Sequence, residues 1–201
     1  MKHVFITGVM GSGKTTVAKK LAPKLFGSYF SETDNLSPYV EESLTSDKQS
    51  IRLLAQLDLL GELVKNINFV KPINNVRVYD TSVLVNKAFA ETLLEPLEYN
   101  TYNDVFESYV DANLIPKGIH IILTTSYSDM IERIKSRGVE YEKSIDYDLL
   151  KSYHRDFNDN VINAITELDI EQSRVLIIDT GLNSADDVVE LAIDFIRSVN
   201  D

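Results

Sequence analysis

The segment Gly8-Val9-Met10-Gly11-Ser12-Gly13-Lys14-Thr15-Thr16 fits the spacing G-x-x-x-x-G-K-S/T. Residues of these types in this order suit one task, which is to hold a polyphosphate. Glycines permit backbone conformations in which successive N–H groups turn inward onto anionic oxygens, and a helix starting at the same place directs its positive end at them. Lys14 would reach the β- and γ-phosphates, and Thr15 would offer its hydroxyl to Mg²⁺. A turn that merely joins two elements has no need of Lys-Thr directly after its last glycine. The flanks agree with the motif: Val4-Phe5-Ile6 reads as a strand, and Val17, Ala18, Leu21, Ala22 and Leu25 recur as one face of a helix.

A triphosphate site that transfers a phosphoryl group needs a further oxygen ligand near Mg²⁺ and a group to orient or deprotonate the acceptor hydroxyl. Asp80 ends the alternating run Val76-Arg77-Val78-Tyr79, and Glu32 follows the short run Ser28-Tyr29-Phe30-Ser31. Both fall beyond the carboxyl ends of expected strands, where ligands collect in open parallel sheets. Arg133 and Arg137 are four residues apart and share one helical face, so they could clamp a transferring phosphoryl group. Gly138 then ends that helix, and the segment beyond it could fold over bound nucleotide, giving a lid over about 133–145.

The elements that must position these residues alternate. After the first strand and helix come the second strand, a short amphipathic piece from Ser37 to Leu44, and a long helix with Ile51, Leu54, Leu57, Leu60, Val64 and Ile67 on one face. Its stripe is broad enough to suggest burial on more than one side, including a subunit interface. Pro72 and Asn74-Asn75 mark a loop before the strand that ends at Asp80. Helices are expected through Phe89 and Leu93, and again from Tyr102 to Val110. Ile119-His120-Ile121-Ile122-Leu123 is a buried strand, and helices follow through Ile134 and from Leu149 to Ile165. Val175 to Asp179 is the last strand, and Val188 to Val199 lies in the last helix. Strands separated by helices imply right-handed crossovers and a parallel sheet covered on both faces, within a single domain spanning residues 1–201.

Acidic residues outnumber basic ones by 31 to 20, for a formal charge of -11. Duplex DNA and anionic membranes both require clustered cations, so neither is expected as a partner. Cysteine is absent, which removes disulfides and thiolate metal sites. With no membrane-length apolar run and no signal-peptide pattern, a cytoplasmic protein is expected. His3, His120 and His154 lie too far apart in sequence to form a ligand-spaced pair, and each is expected to be an ordinary strand or helix residue.

Together these motifs resemble the deoxyribonucleoside kinase family, especially its bacterial deoxyadenosine and deoxyguanosine kinase branch, over nearly the whole chain. Glu32 with Pro38-Tyr39 is similar to the family's catalytic-base glutamate followed by Asn-Pro-Tyr, Asp80-Thr81-Ser82 to its acidic-Arg-Ser/Thr motif, and Arg133 to Lys143 to its lid. Tyr99-Asn100-Thr101-Tyr102 is similar to a stretch common in the bacterial branch. The resemblance implies a P-loop α/β three-layer sandwich: a five-stranded parallel sheet in the order 2-3-1-4-5, helices on both faces and a short lid. It implies transfer of the ATP γ-phosphoryl group to a deoxyribonucleoside 5′-hydroxyl, purine by branch, with Mg²⁺, in a homodimer. Glu32 would be the base, Gln56 would hold the nucleobase, Glu142 the sugar 3′-hydroxyl, and Tyr39 and Asp80 would border the substrate. Asp179 would border adenine. Thr81 and Val139 stand where the family has arginines and Leu63 where many members have one, and each change removes a bidentate partner for phosphate or substrate. A nucleoside-monophosphate kinase, another small-molecule P-loop kinase and a nucleotide-binding regulatory protein with weak catalysis remain alternatives. The lost arginines weigh against an acceptor that carries its own phosphate, and they motivate the regulatory reading.

Overall fold

A computed structural model describes residues 2–31, 38–43, 45–68, 75–138 and 146–199. The expected strands and helices all form. In chain order they are β1 (Lys2–Gly8), α1 (Lys14–Lys24), β2 (Ser28–Phe30), α2 (Pro38–Ser43), α3 (Gln49–Asn68), β3 (Val76–Tyr79), α4 (Val83–Leu93), α5 (Pro96–Asp111), β4 (Ile119–Thr124), α6 (Tyr127–Arg137), α7 (Tyr147–Glu167), β5 (Val175–Asp179) and α8 (Ala185–Ser198). All pairings are parallel and the sheet order is β2-β3-β1-β4-β5, as the resemblance implied. The central strands are buried on both faces, which is why their sequences are almost continuously apolar.

Val4, Ile6, Val78 and Ile121 face α1 and α8, whose Leu21, Val189 and Ile193 close that layer. On the opposite face α4, α6 and α7 cover Ile122, while α3, α4 and α5 cover Phe5 and Tyr79. Polar residues start the helices where the sequence supplies them. Ser82 caps α4, Ser126 caps α6, Asp146 caps α7, and Ser184 with Asp187 forms a capping box on α8. Most of the broad stripe of α3 packs within the chain: Leu60, Leu63, Val64 and Ile67 are buried, and Leu53 and Leu57 lie against the same core. Leu54 is the large apolar residue of that helix left 40% exposed. No described helix is long and apolar enough to cross a membrane.

Beneath α3–α5 a row of rings crosses four strands. Phe30, Tyr79, Phe5 and His120 stack with successive centroids 5.0, 5.0 and 5.1 Å apart. Burial pulls the pKa of His120 down to about 3; the nearby Lys117 backbone opposes the shift but leaves neither ring nitrogen in hydrogen-bonding geometry. Unfolded histidine titrates near 6.5, so between about pH 6.5 and 3 the unfolded chain takes up a proton that the folded chain refuses. Stability is therefore retained above that window and lost as pH falls through it. Going from pH 7 to 5, His120 alone is expected to remove about 2 kcal/mol. Urea melts at both pH values should show His120→Phe losing less stability on acidification than the parent by about that amount.

Alternation along Val76–Tyr79 does not put Arg77 in solvent. It is 1% exposed, with its Nη1 donating to the carbonyls of Ile67 at 2.6 Å and Asn66 at 3.3 Å, and its guanidinium over the Phe30 ring at 5.4 Å. A cation at the carboxyl end of α3 answers both the helix dipole and the carbonyls that no helical N–H can reach. Arg77→Met should cost about 3 kcal/mol, because those carbonyls lose a charged donor in a site closed to water. Urea denaturation would measure the loss, and a variant as stable as the parent would show that the buried cation contributes nothing net.

Candidate functional site

The phosphate loop follows directly from β1. Gly11 and Gly13 take positive φ values of 78° and 97°, which is the left-handed region that side chains resist. A Cβ at Gly13 would meet nothing within 4 Å, whereas one at Gly8 would come within 2.4 Å of the Ser12 hydroxyl and 2.7 Å of the Leu123 carbonyl. Gly13 therefore keeps an open approach to the helix N-terminus, and Gly8 permits close packing of the loop on β4. Ser12 is buried and its amide donates to Val9 at 3.1 Å, closing the turn. Met10 packs partly on the core beneath α6 and α7. Lys14 folds back over the loop, its ammonium donating to the carbonyls of Gly8 at 2.8 Å and Val9 at 3.2 Å. Thr15 and Thr16 are exposed in the first turn of α1.

Asp80 lies one residue past β3 and is 1% exposed. Its amide donates to the Phe30 carbonyl at 3.2 Å, and its Oδ2 accepts from the Tyr29 hydroxyl at 2.7 Å. Two residues on, Ser82 caps α4 and shares a 2.9 Å hydrogen bond with Thr7, tying that turn to the strand that feeds the phosphate loop. Glu32, Val139 and Glu142 lie outside the described residues, as does most of the expected lid. Tyr39, on α2, is 40% exposed.

Beyond the carboxyl ends of β2 and β3 is a cavity of about 280 Å³. Phe30 and Tyr79 line it from the sheet, Leu57 and Leu63 from α3, Thr81 from the turn before α4 and Asn86 from the first turn of that helix. Asp58 and Glu62 are the charged residues among its described walls. Gln56 does not line this cavity. It is 2% exposed, and its Oε1 accepts from Asn86 Nδ2 at 3.0 Å; Asn86 Oδ1 in turn accepts from the Tyr102 hydroxyl at 2.6 Å. Gln56 thus stands behind Asn86, a residue that the sequence reading did not single out although it interrupts the apolar run Val83-Leu84-Val85. Leu63 gives the wall an apolar surface where many members of the resembled family have an arginine.

Arg133 and Arg137 both project from α6, but they have different surroundings. Arg133 donates from Nη1 to Thr180 Oγ1 and from Nη2 to Thr180 O, each at 2.9 Å, and more distantly to Gly11 O at 3.4 Å. It therefore joins α6, the phosphate loop and the turn after β5. Arg137 is exposed in the last turn, and Gly138 closes the helix in the left-handed region with φ 65°. In the turn after β5, Asp179 accepts from the Gly181 amide at 2.7 Å and its carbonyl accepts from Asn183 at 2.8 Å. The oxygen donors Thr15 and Asp80 suit Mg²⁺. Among the described residues no three His, Asp or Glu side chains gather as a group that could hold a metal ion.

The family model for deoxynucleoside kinase matches residues 4–199. The chain belongs to the deoxynucleoside kinase family. As such it is an ATP-dependent nucleoside kinase, transferring a phosphoryl group to a deoxyribonucleoside. A search of curated proteins by sequence gives no significant match. Among solved structures, the kinase is similar to deoxyadenosine kinase from M. mycoides with bound dATP, at 22% identity and a TM-score of 0.78, over 98% of this chain and 100% of that one. The same enzyme with the products dCMP and dCDP gives 22% identity and 0.76 over the same shares. Thymidylate kinase from Candida albicans is similar at 18% identity and 0.68, over 100% of this chain and 95% of that one. At these identities the structural likeness speaks for the fold, and the family model carries the activity.

Proposed function

We propose that this kinase moves the ATP γ-phosphoryl group to the 5′-hydroxyl of a deoxyribonucleoside bound in the cavity beyond β2 and β3, with deoxyadenosine the first candidate. The observation that carries the choice of acceptor is the cavity wall. Its described residues are apolar or neutral apart from the carboxylates Asp58 and Glu62, so it suits an uncharged nucleoside and repels an acceptor that already bears phosphate. The monophosphate-kinase alternative is not favoured for that reason. The base preference is supported by the deoxyadenosine kinase likeness, and the dCMP and dCTP complexes of that enzyme add deoxycytidine as a second candidate.

In this reading the loop amides from Gly8 to Thr16 cradle the triphosphate, and Lys14 leaves its carbonyls to meet the β- and γ-phosphates. Glu32 accepts the 5′-hydroxyl proton as the oxygen attacks phosphorus. Arg137 offsets charge on the transferring group, and Arg133 joins it only after releasing Thr180. Gln56 acts on the base with Asn86, Tyr39 and Glu142 border the sugar, and Asp179 borders adenine. Thr15 and Asp80 would hold Mg²⁺, which neutralises charge on the phosphates when bound. A cytoplasmic homodimer belongs to the same reading; it is supported by the family resemblance and by apolar side chains left on the surface, Leu54 on α3 and Leu97 on α5.

Steady-state phosphorylation of the four deoxynucleosides, with ATP and Mg²⁺, tests the proposal. Turnover is expected with deoxyadenosine and weaker turnover with deoxycytidine. Tight ATP binding without transfer to any deoxynucleoside would overturn it in favour of a regulatory role.

A further inference from the structure

Asp80 is fixed at two points by consecutive residues of the neighbouring strand. Phe30 accepts from its amide and Tyr29 donates to its carboxylate. The register of the edge strand makes this possible: Tyr29 pairs with Val78 and Phe30 with Tyr79, so a long side chain on β2 can reach forward to the residue where β3 ends. Tyr29 is itself held from the other side. Its ring packs on the core between α1 and α8, and the Lys19 ammonium lies 5.7 Å from its centroid. The helix that starts with Lys14 and Thr15 thus contacts, one turn later, the phenol that orients Asp80.

We propose that Tyr29 is a positioning residue for the Asp80 carboxylate, fixing which oxygen it presents to the metal–nucleotide site. A phenol suits this task because it orients a carboxylate without adding positive charge, whereas an ammonium or guanidinium partner would offset the charge that a cation needs. At 1% exposure, water cannot readily replace the lost donor, so removing the hydroxyl takes from Oδ2 the 2.7 Å bond through which Tyr29 orients it. The inference rests on the proposed role of Asp80 at the metal site, and its test separates the two.

Binding of Mn²⁺ to the protein–ATP complex, followed by electron paramagnetic resonance, would be measured for the parent, Tyr29→Phe, Asp80→Asn and the double variant, with melting temperatures alongside. Tyr29→Phe is expected to stay folded with a melting temperature lowered by about 2–4 °C, weaken Mn²⁺ binding about tenfold and lower kcat more than it raises the KM for the nucleoside. In the Asp80→Asn background the Tyr29 change should add nothing further. Parent-like Mn²⁺ affinity in Tyr29→Phe together with weakened binding in Asp80→Asn overturns the positioning role and leaves the Asp80 reading standing. Additive losses in the double variant also overturn it. Parent-like binding in Asp80→Asn overturns the metal-site reading and the inference with it.

Discussion

Lys14→Ala is expected to lower kcat/KM by about a thousandfold while leaving the fold intact. The stability half of this expectation follows from where the ammonium rests. It bonds to the Gly8 and Val9 carbonyls of its own loop, and the turn is closed independently by backbone bonds from Ser12 to Val9 and from Val17 to Gly13. Removing the side chain therefore leaves the ring of amides in place. The kinetic half follows from charge. Amides and a helix terminus carry partial charges, whereas the transferring group spreads full negative charge over its oxygens, which a full cation answers more strongly. Loss of one pre-positioned donor to such a group costs about 10²–10³ in rate, and a full positive charge belongs at the upper end. Steady-state kinetics and isothermal titration with ATP measure both effects. A variant retaining a tenth of the parental kcat/KM would mean that Lys14 remains on its carbonyls during turnover.

Glu32→Gln should lower kcat by about 10²–10⁴, the range for a positioned general base, with little change in the KM for ATP. Glu32 comes two residues after Phe30, and both Phe30 and the intervening Ser31 line the acceptor cavity. Glutamine has nearly the same shape and can still accept a hydrogen bond, but it cannot take up the hydroxyl proton. The decisive readout is the pH profile: the parent should lose kcat toward acid as the carboxylate is protonated, and the variant should lose that limb. An unchanged kcat would assign proton removal elsewhere, leaving Asp80 as the carboxylate to test next.

The fold and the phosphate loop were legible because their signals are local. Strands buried on both faces read as apolar runs, as at Ile119–Leu123, and glycine spacing followed by Lys-Thr has few other uses. The surroundings of the site were less legible because they depend on pairings between distant segments. Spacing put Arg133 and Arg137 on one helical face, but the partner that engages Arg133 is Thr180, which is 47 residues away. Nothing near Tyr29 in sequence announces Asp80, because only the β2–β3 register brings them together. Arg77 followed the alternation of its strand but not the usual meaning of that alternation, since the carbonyls ending α3 supply the polar surroundings that solvent would otherwise give. Gln56 shows the same dependence on tertiary context: a buried amide on a helix is satisfied by the nearest buried amide, and here that is Asn86.

The stacked row under α3–α5 gives the kinase an internal optical probe. The chain has no tryptophan, so its near-ultraviolet dichroism comes mainly from 10 tyrosines and 8 phenylalanines. Two rings of the row, Phe30 and Tyr79, are also walls of the acceptor cavity. A nucleoside stacked beside them would couple its electronic transitions to theirs and, through the 5.0 Å contact with Phe5, to a chromophore array held rigid by the sheet. Occupancy of the acceptor site could thus be followed in unlabelled protein as a change in chiral absorption, without turnover and without an engineered fluorophore.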